Sequence, residues 1–276
     1  MLRSIVRLTL KDWVLERTQM LSAAVRSSLE HPSLQVLELD DCEIDTNLLA
    51  LAAHSVSMLK LYDVTLIATN GLNEAGISTS RLKYVSIQYF HKRIAPLLAS
   101  TLLPYSGRLE ILQMDLAARQ GNHFDVLLVE ASSTLQTLSL LHDPWNPNTN
   151  SPSLPRSESL RLINLSVLDE EHLGHILSLI PTPSEIPRVE VISVTLWHAD
   201  DISVPTSPPA IAWDADACLR QCNVNLVWKG HAAGVTSAGS SSALGRCIQT
   251  MFRPFKPRIN LSLTDTLLAP GEVNTY

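Results

Sequence analysis

The chain has 276 residues, 45% hydrophobic but only 5% aromatic, which is enough apolar material for one packed domain or two and excludes disorder as the dominant state. Lys and Arg number 21 against 27 Asp and Glu, and the resulting net charge of −6 has the wrong sign for a protein that neutralises nucleic-acid phosphates or anionic lipid. Leucine occurs 46 times, about 17% of the chain and far above ordinary usage, so one residue type is being reused as a packing unit and a repeat is expected.

Four cysteines, Cys42, Cys218, Cys222 and Cys247, are too few and scattered for a disulfide framework, which points to a reducing compartment. Arg3, Arg7, Lys11 and Asp12 interrupt the apolar residues of the N-terminal segment, and no later stretch approaches the ~20 apolar residues that span a bilayer. A cytoplasmic or nuclear protein with no membrane contact is expected.

In chain order, the phrase LxxLxLxx recurs as IVRLTLKDW, LQVLELDDC, VSMLKLYDV, LKYVSIQYF, LEILQMDLA, LQTLSLLHD, LRLINLSVL and VEVISVTLW, with a ninth, weaker copy LRQCNVNLV. The fourth position of each is Leu8, Leu37, Leu59, Val85, Leu112, Leu138, Ile163, Ile192 and Cys222, at steps of 22 to 30 residues. In LxL the two apolar residues sit at i and i+2, so both point to one face of a short strand while their neighbours point to the other. The following stretch switches to helical spacing: Leu21, Ala24, Val25 and Leu29; Ile94, Leu97, Leu98 and Leu102; Phe124, Leu127, Leu128 and Ala131; Leu173, Ile176, Leu177 and Ile180. Asp45 or Thr46 and Asp169 are N-cap candidates, and Pro32, Pro104 and Pro181 stand just past helix ends.

These units predict an α/β leucine-rich-repeat solenoid, a horseshoe with an inner parallel sheet of about nine strands and outer helices, over residues 1–265. Pro-, Ser- and Asn-rich loops are inserted at 142–159 and 198–216 and a Gly/Ser/Ala connector at 230–243. RINLSLTD (258–265) reads as a terminal strand and 266–276 as a tail. The copy from Leu34 to Cys42, closed by Ile44, fits LxxLxLxx(N/C)xL at nearly every position. Together with the irregular repeat length, the Trp213-Asp214 pair before the late helix, the LGRCIQTMF helix at 244–252 and the closing strand, the chain resembles the repeat region of the large fungal family of F-box proteins. That resemblance implies repeats that hold a substrate, while an N-terminal F-box recruits the adaptor of a cullin ubiquitin ligase. No LPxE-like segment stands ahead of Leu8, so a ligase adaptor is expected as a partner only if an F-box lies upstream of this sequence.

Catalytic readings are weaker than packing ones. His172 and His175 fall opposite the stripe of Leu173, Ile176, Leu177 and Ile180, on a solvated face. His198, Asp200 and Asp201 share a polar loop, and Cys218 and Cys222 lack a second ligand pair. Cys42 takes the Asn/Cys place of its repeat, where a small group meets backbone. The run GHAAGVTSAGSSSALGR lacks the GK(S/T) ending of a phosphate loop and contains no GxSxG. The sequons at Asn164 and Asn260 fall on predicted strands.

No enzyme, cofactor or metal is therefore expected. The residues flanking each LxL project from the concave face, and a protein or peptide partner is expected there on Glu38, Asp40, Lys60, Tyr62, Tyr84, Gln88, Gln113 and Asp115, with Tyr62 and Tyr84 forming one aromatic patch. The expected function is a non-catalytic protein-interaction module, a substrate-recruitment region like that of F-box receptors. Its competitors are a stand-alone scaffold or inhibitor with no ubiquitin link, and a hydrolase using loop histidines.

Overall fold

Leucine alternating with polar residues gives a strand one apolar face, and neighbouring strands must align those faces to bury them. A computed structural model describes residues 6–14, 19–69, 80–89, 92–115, 123–141, 154–167, 188–198, 223–230 and 259–264. The chain divides into two compact units, 1–160 and 161–276.

In the first unit, strands β1 (Arg7–Lys11), β2 (Val36–Asp40), β4 (Met58–Tyr62), β6 (Tyr84–Gln88), β7 (Ile111–Asp115) and β8 (Thr137–Leu141) pair in chain order, all parallel. Two three-residue strands, β3 (Glu43–Asp45) and β5 (Thr65–Ile67), pair separately. The expected phrase positions fall in one cross-strand row: Leu8, Leu37, Leu59, Val85, Leu112 and Leu138 are successive partners. A second row runs Leu10, Leu39, Leu61, Ile87, Met114 and Leu140. From β2 to β8 every member of both rows is buried, whereas Leu8 and Leu10 on the outermost strand are only half-buried.

The crossovers carry helices α1 (Gln19–Leu29), α2 (Thr46–Ser55), α3 (Ala95–Leu102) and α4 (Asp125–Glu130), each in contact with the next, with 3₁₀ turns at Lys92–Ile94, Leu103–Arg108 and Ala131–Ser133. Asp45 is the N-cap of α2: its carboxylate accepts the Leu48 N–H at 2.6 Å and meets the Arg26 guanidinium at 3.2 Å. The stripe Phe124, Leu127, Leu128 and Ala131 is buried as expected. Two other stripes are rotated from their expected positions. Ala24 is exposed, leaving Val25 and Leu29 to pack. At α3, Ile94 just before the helix and Leu97 within it are half-buried while Ala95 and Ala99 join Leu98 and Leu102 inside. One residue is a 100° turn of a helix, and small alanines let the helix axis approach, so composition alone misjudges which side faces in.

The backbone turns in the same way after each of the first four main strands. Asp12, Asp41, Asp63 and Tyr89, each one residue past a strand, have φ of 52°, 50°, 47° and 52°. Aspartate tolerates this left-handed conformation better than most residues. Asp12, Asp41 and Asp63 donate their N–H to the carbonyls of Asp40, Tyr62 and Gln88 on the next strand, all at 3.0 Å. Cys42 follows directly, buried, with its thiol donating to the carbonyls of Leu10 at 3.3 Å and Asp40 at 3.2 Å. Burial pushes the Cys42 thiol above its ordinary pKa, keeping the proton those contacts need.

The second unit contains β9 (Leu162–Val167), β10 (Val191–His198), β11 (Asn223–Gly230) and β12 (Ile259–Thr264), parallel and in chain order. Ile163 pairs with Ile192, as the phrases require. The ninth phrase needs a correction: Ile192 pairs with Val224, not Cys222. Cys222, Val224 and Leu226 share one parity, so a slip of two residues keeps the same face inward and leaves the alternation unchanged. Asn164 and Asn260 both lie on strands. Among the described residues, no helix is long and apolar enough to cross a membrane.

Candidate partner-binding face

Opposite the leucine rows of the first unit lies the sheet's other face, and all eight expected partner-binding residues stand on it. Register arranges it in three rows. Arg7, Val36, Met58, Tyr84, Ile111 and Thr137 occupy the strand starts; Thr9, Glu38, Lys60, Ser86, Gln113 and Ser139 the middle. At the strand ends Lys11, Asp40, Tyr62 and Gln88 are successive partners, and Asp115 is partnered with Leu141.

Much of this face satisfies itself. Arg7 pairs with Glu38, and Lys11 Nζ lies 3.1 Å from Asp40. That hydrogen bond, reinforced by the same carboxylate's charge and then by Asp12, raises the Lys11 pKa. Tyr84 donates its phenol to Gln113 Oε1 at 2.9 Å, and Gln88 Nε2 donates to Ser86 Oγ at 3.1 Å. Ser86 is consequently only 3% exposed although it faces away from the core. Asp115 is 5% exposed, and its Oδ2 accepts the backbone N–H of Tyr89. Lys60 stands in register between Glu38 and Ser86.

The exposed aromatic surface sits at the strand ends. Tyr62 is 37% exposed and Tyr89 47%, with ring centroids 4.8 Å apart and planes inclined at 55°. The Tyr62 phenol is raised above its ordinary pKa by burial first, then by Asp40, Asp63 and Asp115, with Lys11 opposing. Tyr84 is raised by burial, a hydrogen bond from Ser86 opposing it.

The expected Tyr62–Tyr84 patch is corrected. The two lie on adjacent strands, but Tyr62 is partnered with Gln88 and Tyr84 with Met58. They are therefore offset by four residues, roughly 13 Å along the strands. The ring that meets Tyr62 is Tyr89, which an alternation of inward and outward positions does not reach because it lies past the strand in the turn. A sequence signal does mark it: Asp12, Asp41 and Asp63 occupy the same place after their strands, and Tyr89 is the residue that breaks that column.

Among the described residues, no group of three or more His, Cys, Asp or Glu side chains is placed to hold a metal ion. A cavity of about 10 Å³ between Leu128, Leu138, Leu154 and Leu160, with Ser157 also on its wall, is too small for a substrate. His172, His175, Asp200, Asp201, Cys218, Cys222 and Cys247 lie outside the described residues, as do the side chain of His198, most of the three loop insertions and the tail. A scan against protein-family models, a search of curated proteins and a search of solved structures each find no match.

Proposed function

We propose that the chain is a non-catalytic protein-interaction module, a leucine-rich-repeat solenoid whose open sheet face holds a protein or peptide partner, as substrate-recruiting F-box receptors do. The observation that carries this reading is the Tyr62–Tyr89 pair, two part-exposed aromatic rings packed on each other at one edge of a regular sheet. Tyrosines offer large, rigid contact area with little rotamer entropy to lose, and they are enriched among residues that dominate binding energy. Tyr89 also holds a left-handed backbone that is costly for a bulky side chain, about 1–2 kcal/mol, and is braced by the buried carboxylate of Asp115. Such a conformation persists where surrounding structure compensates it, and it concentrates at binding sites.

The rival surface is on α4, where Val126 and Val129 are both more than half exposed. Capture experiments with the immobilised chain separate the two. Tyr62→Ala is expected to remove most captured protein at an unchanged melting temperature, while Val126→Asp combined with Val129→Asp leaves capture intact. The opposite pattern would move the interface to the helix layer and end this reading of the sheet face.

A further inference from the structure

We infer that the strand-end edge around Tyr62 and Tyr89 takes an arginine-bearing, basic peptide segment of the protein partner. This rests on the interaction reading above and gives the partner its chemistry. Asp12, Asp41 and Asp63 are exposed, and each occupies the same left-handed position after consecutive main strands. Their N–H groups bond to the next strand in turn, so they step along the edge at about one strand spacing, ~4.8 Å. The fourth place in that series is Tyr89, packed against Tyr62. From Asp12 to Tyr89 is three spacings, roughly 14 Å, the length of four or five residues of extended peptide.

Asp40 sits in register beside Tyr62, and Lys11, the one cation in the strand-end row among the described residues, is engaged with Asp40. The edge therefore presents carboxylates to solvent and the two part-exposed tyrosine rings at its end. That combination attracts a cation and repels phosphate or acidic peptides. A bare metal ion is a poor fit, since no three ligating groups converge among the described residues. Arginine suits the edge better than lysine. Its planar guanidinium stacks on a tyrosine ring and forks onto a carboxylate, whereas lysine is a strongly hydrated point charge.

Fluorescence anisotropy of the full chain with fluorescein-labelled hexa-arginine, hexalysine and hexaglutamate peptides tests this. Hexa-arginine is expected to bind several-fold more tightly than hexalysine, and hexaglutamate not to bind. Tyr62→Ala should weaken hexa-arginine binding by about 5- to 10-fold while Tyr62→Phe retains it, because the ring supplies the contact. Asp63→Asn, which keeps a side chain tolerant of the left-handed turn, should weaken it by about 2- to 3-fold. Glu158→Gln, at an exposed carboxylate elsewhere, should change nothing. Equal binding of hexalysine, or equal effects of Asp63→Asn and Glu158→Gln, would mean diffuse charge attraction and overturn the inference. So would a Tyr62→Ala chain that melts normally and binds hexa-arginine as before. If Tyr62→Ala still abolishes capture of native protein in that last case, the basic-segment inference alone fails and the interaction reading survives.

Discussion

Leu112 and Gln113 are neighbours on β7 with opposite surroundings. Leu112 is fully buried between Val85 and Leu138, while Gln113 is half-buried on the other face and accepts a hydrogen bond from Tyr84. The same contrast holds along β2, β4, β6, β7 and β8, with buried aliphatic rows on one side and, on the other, mixed rows in which Val36, Met58 and Ile111 stand among polar and aromatic residues. One face holds the unit together, while exposed positions of the other, such as Tyr62, can change with less effect on folding than the buried Ser86 and Asp115 beside them.

The largest effect expected is therefore on the aliphatic side. Leu112→Ala should cost ~2–5 kcal/mol, measured by denaturant melts, because it removes packing and leaves a cavity among close neighbours. Asp115→Ala sharpens the comparison, since Asp115 stands on the open face yet is buried and holds the Tyr89 N–H. It should cost ~1–3 kcal/mol, the penalty of a lost charge-assisted hydrogen bond. A cost near zero would mean that Tyr89 keeps its turn unaided.

Alkaline pH gives a third test. Burial raises the phenols of Tyr62 and Tyr84, both on the open face, and of Tyr105 in the 3₁₀ turn after α3. The fold thus favours each neutral form. Its contribution is fully present below the unfolded tyrosine value of about 10 and is lost as pH rises through the raised folded values. Ultraviolet titration of tyrosinate should show all three late, and Asp63→Asn should lower Tyr62 alone because Asp63 is among the carboxylates raising only that phenol. The smallest effect belongs to Gln113→Ala, expected within ~0.5 kcal/mol in the same melts as Leu112→Ala.

The parallel α/β arrangement was legible because two periodicities carry it. Alternation marked the inward positions of each strand, and spacing between phrases identified successive strands, so Leu37 and Leu59 could be matched without coordinates. What failed did so for identifiable reasons. Alternation does not separate Cys222 from Val224, because a two-residue slip preserves it, and only pairing with Ile192 fixes the count. Ala24 and Leu97 belong to the apolar stripes yet do not face fully inward, because an amphipathic stripe determines a helix's inner face only to within about one residue. All eight positions expected to meet a partner were legible as members of one face. Their grouping was not, since the distance from Tyr62 to Tyr84 depends on position along the strands as well as on which strands adjoin. Tyr89 was missed because its role comes from a backbone angle, and alternation does not extend into the turn.

The central question is whether the open face is where a partner sits. A photo-crosslinking phenylalanine analogue placed at Tyr62, and separately at Val129 on α4, measures this directly in native extract. A covalent adduct is expected from position 62 and none from position 129. Adducts from position 129 with none from position 62 would contradict a partner on that face.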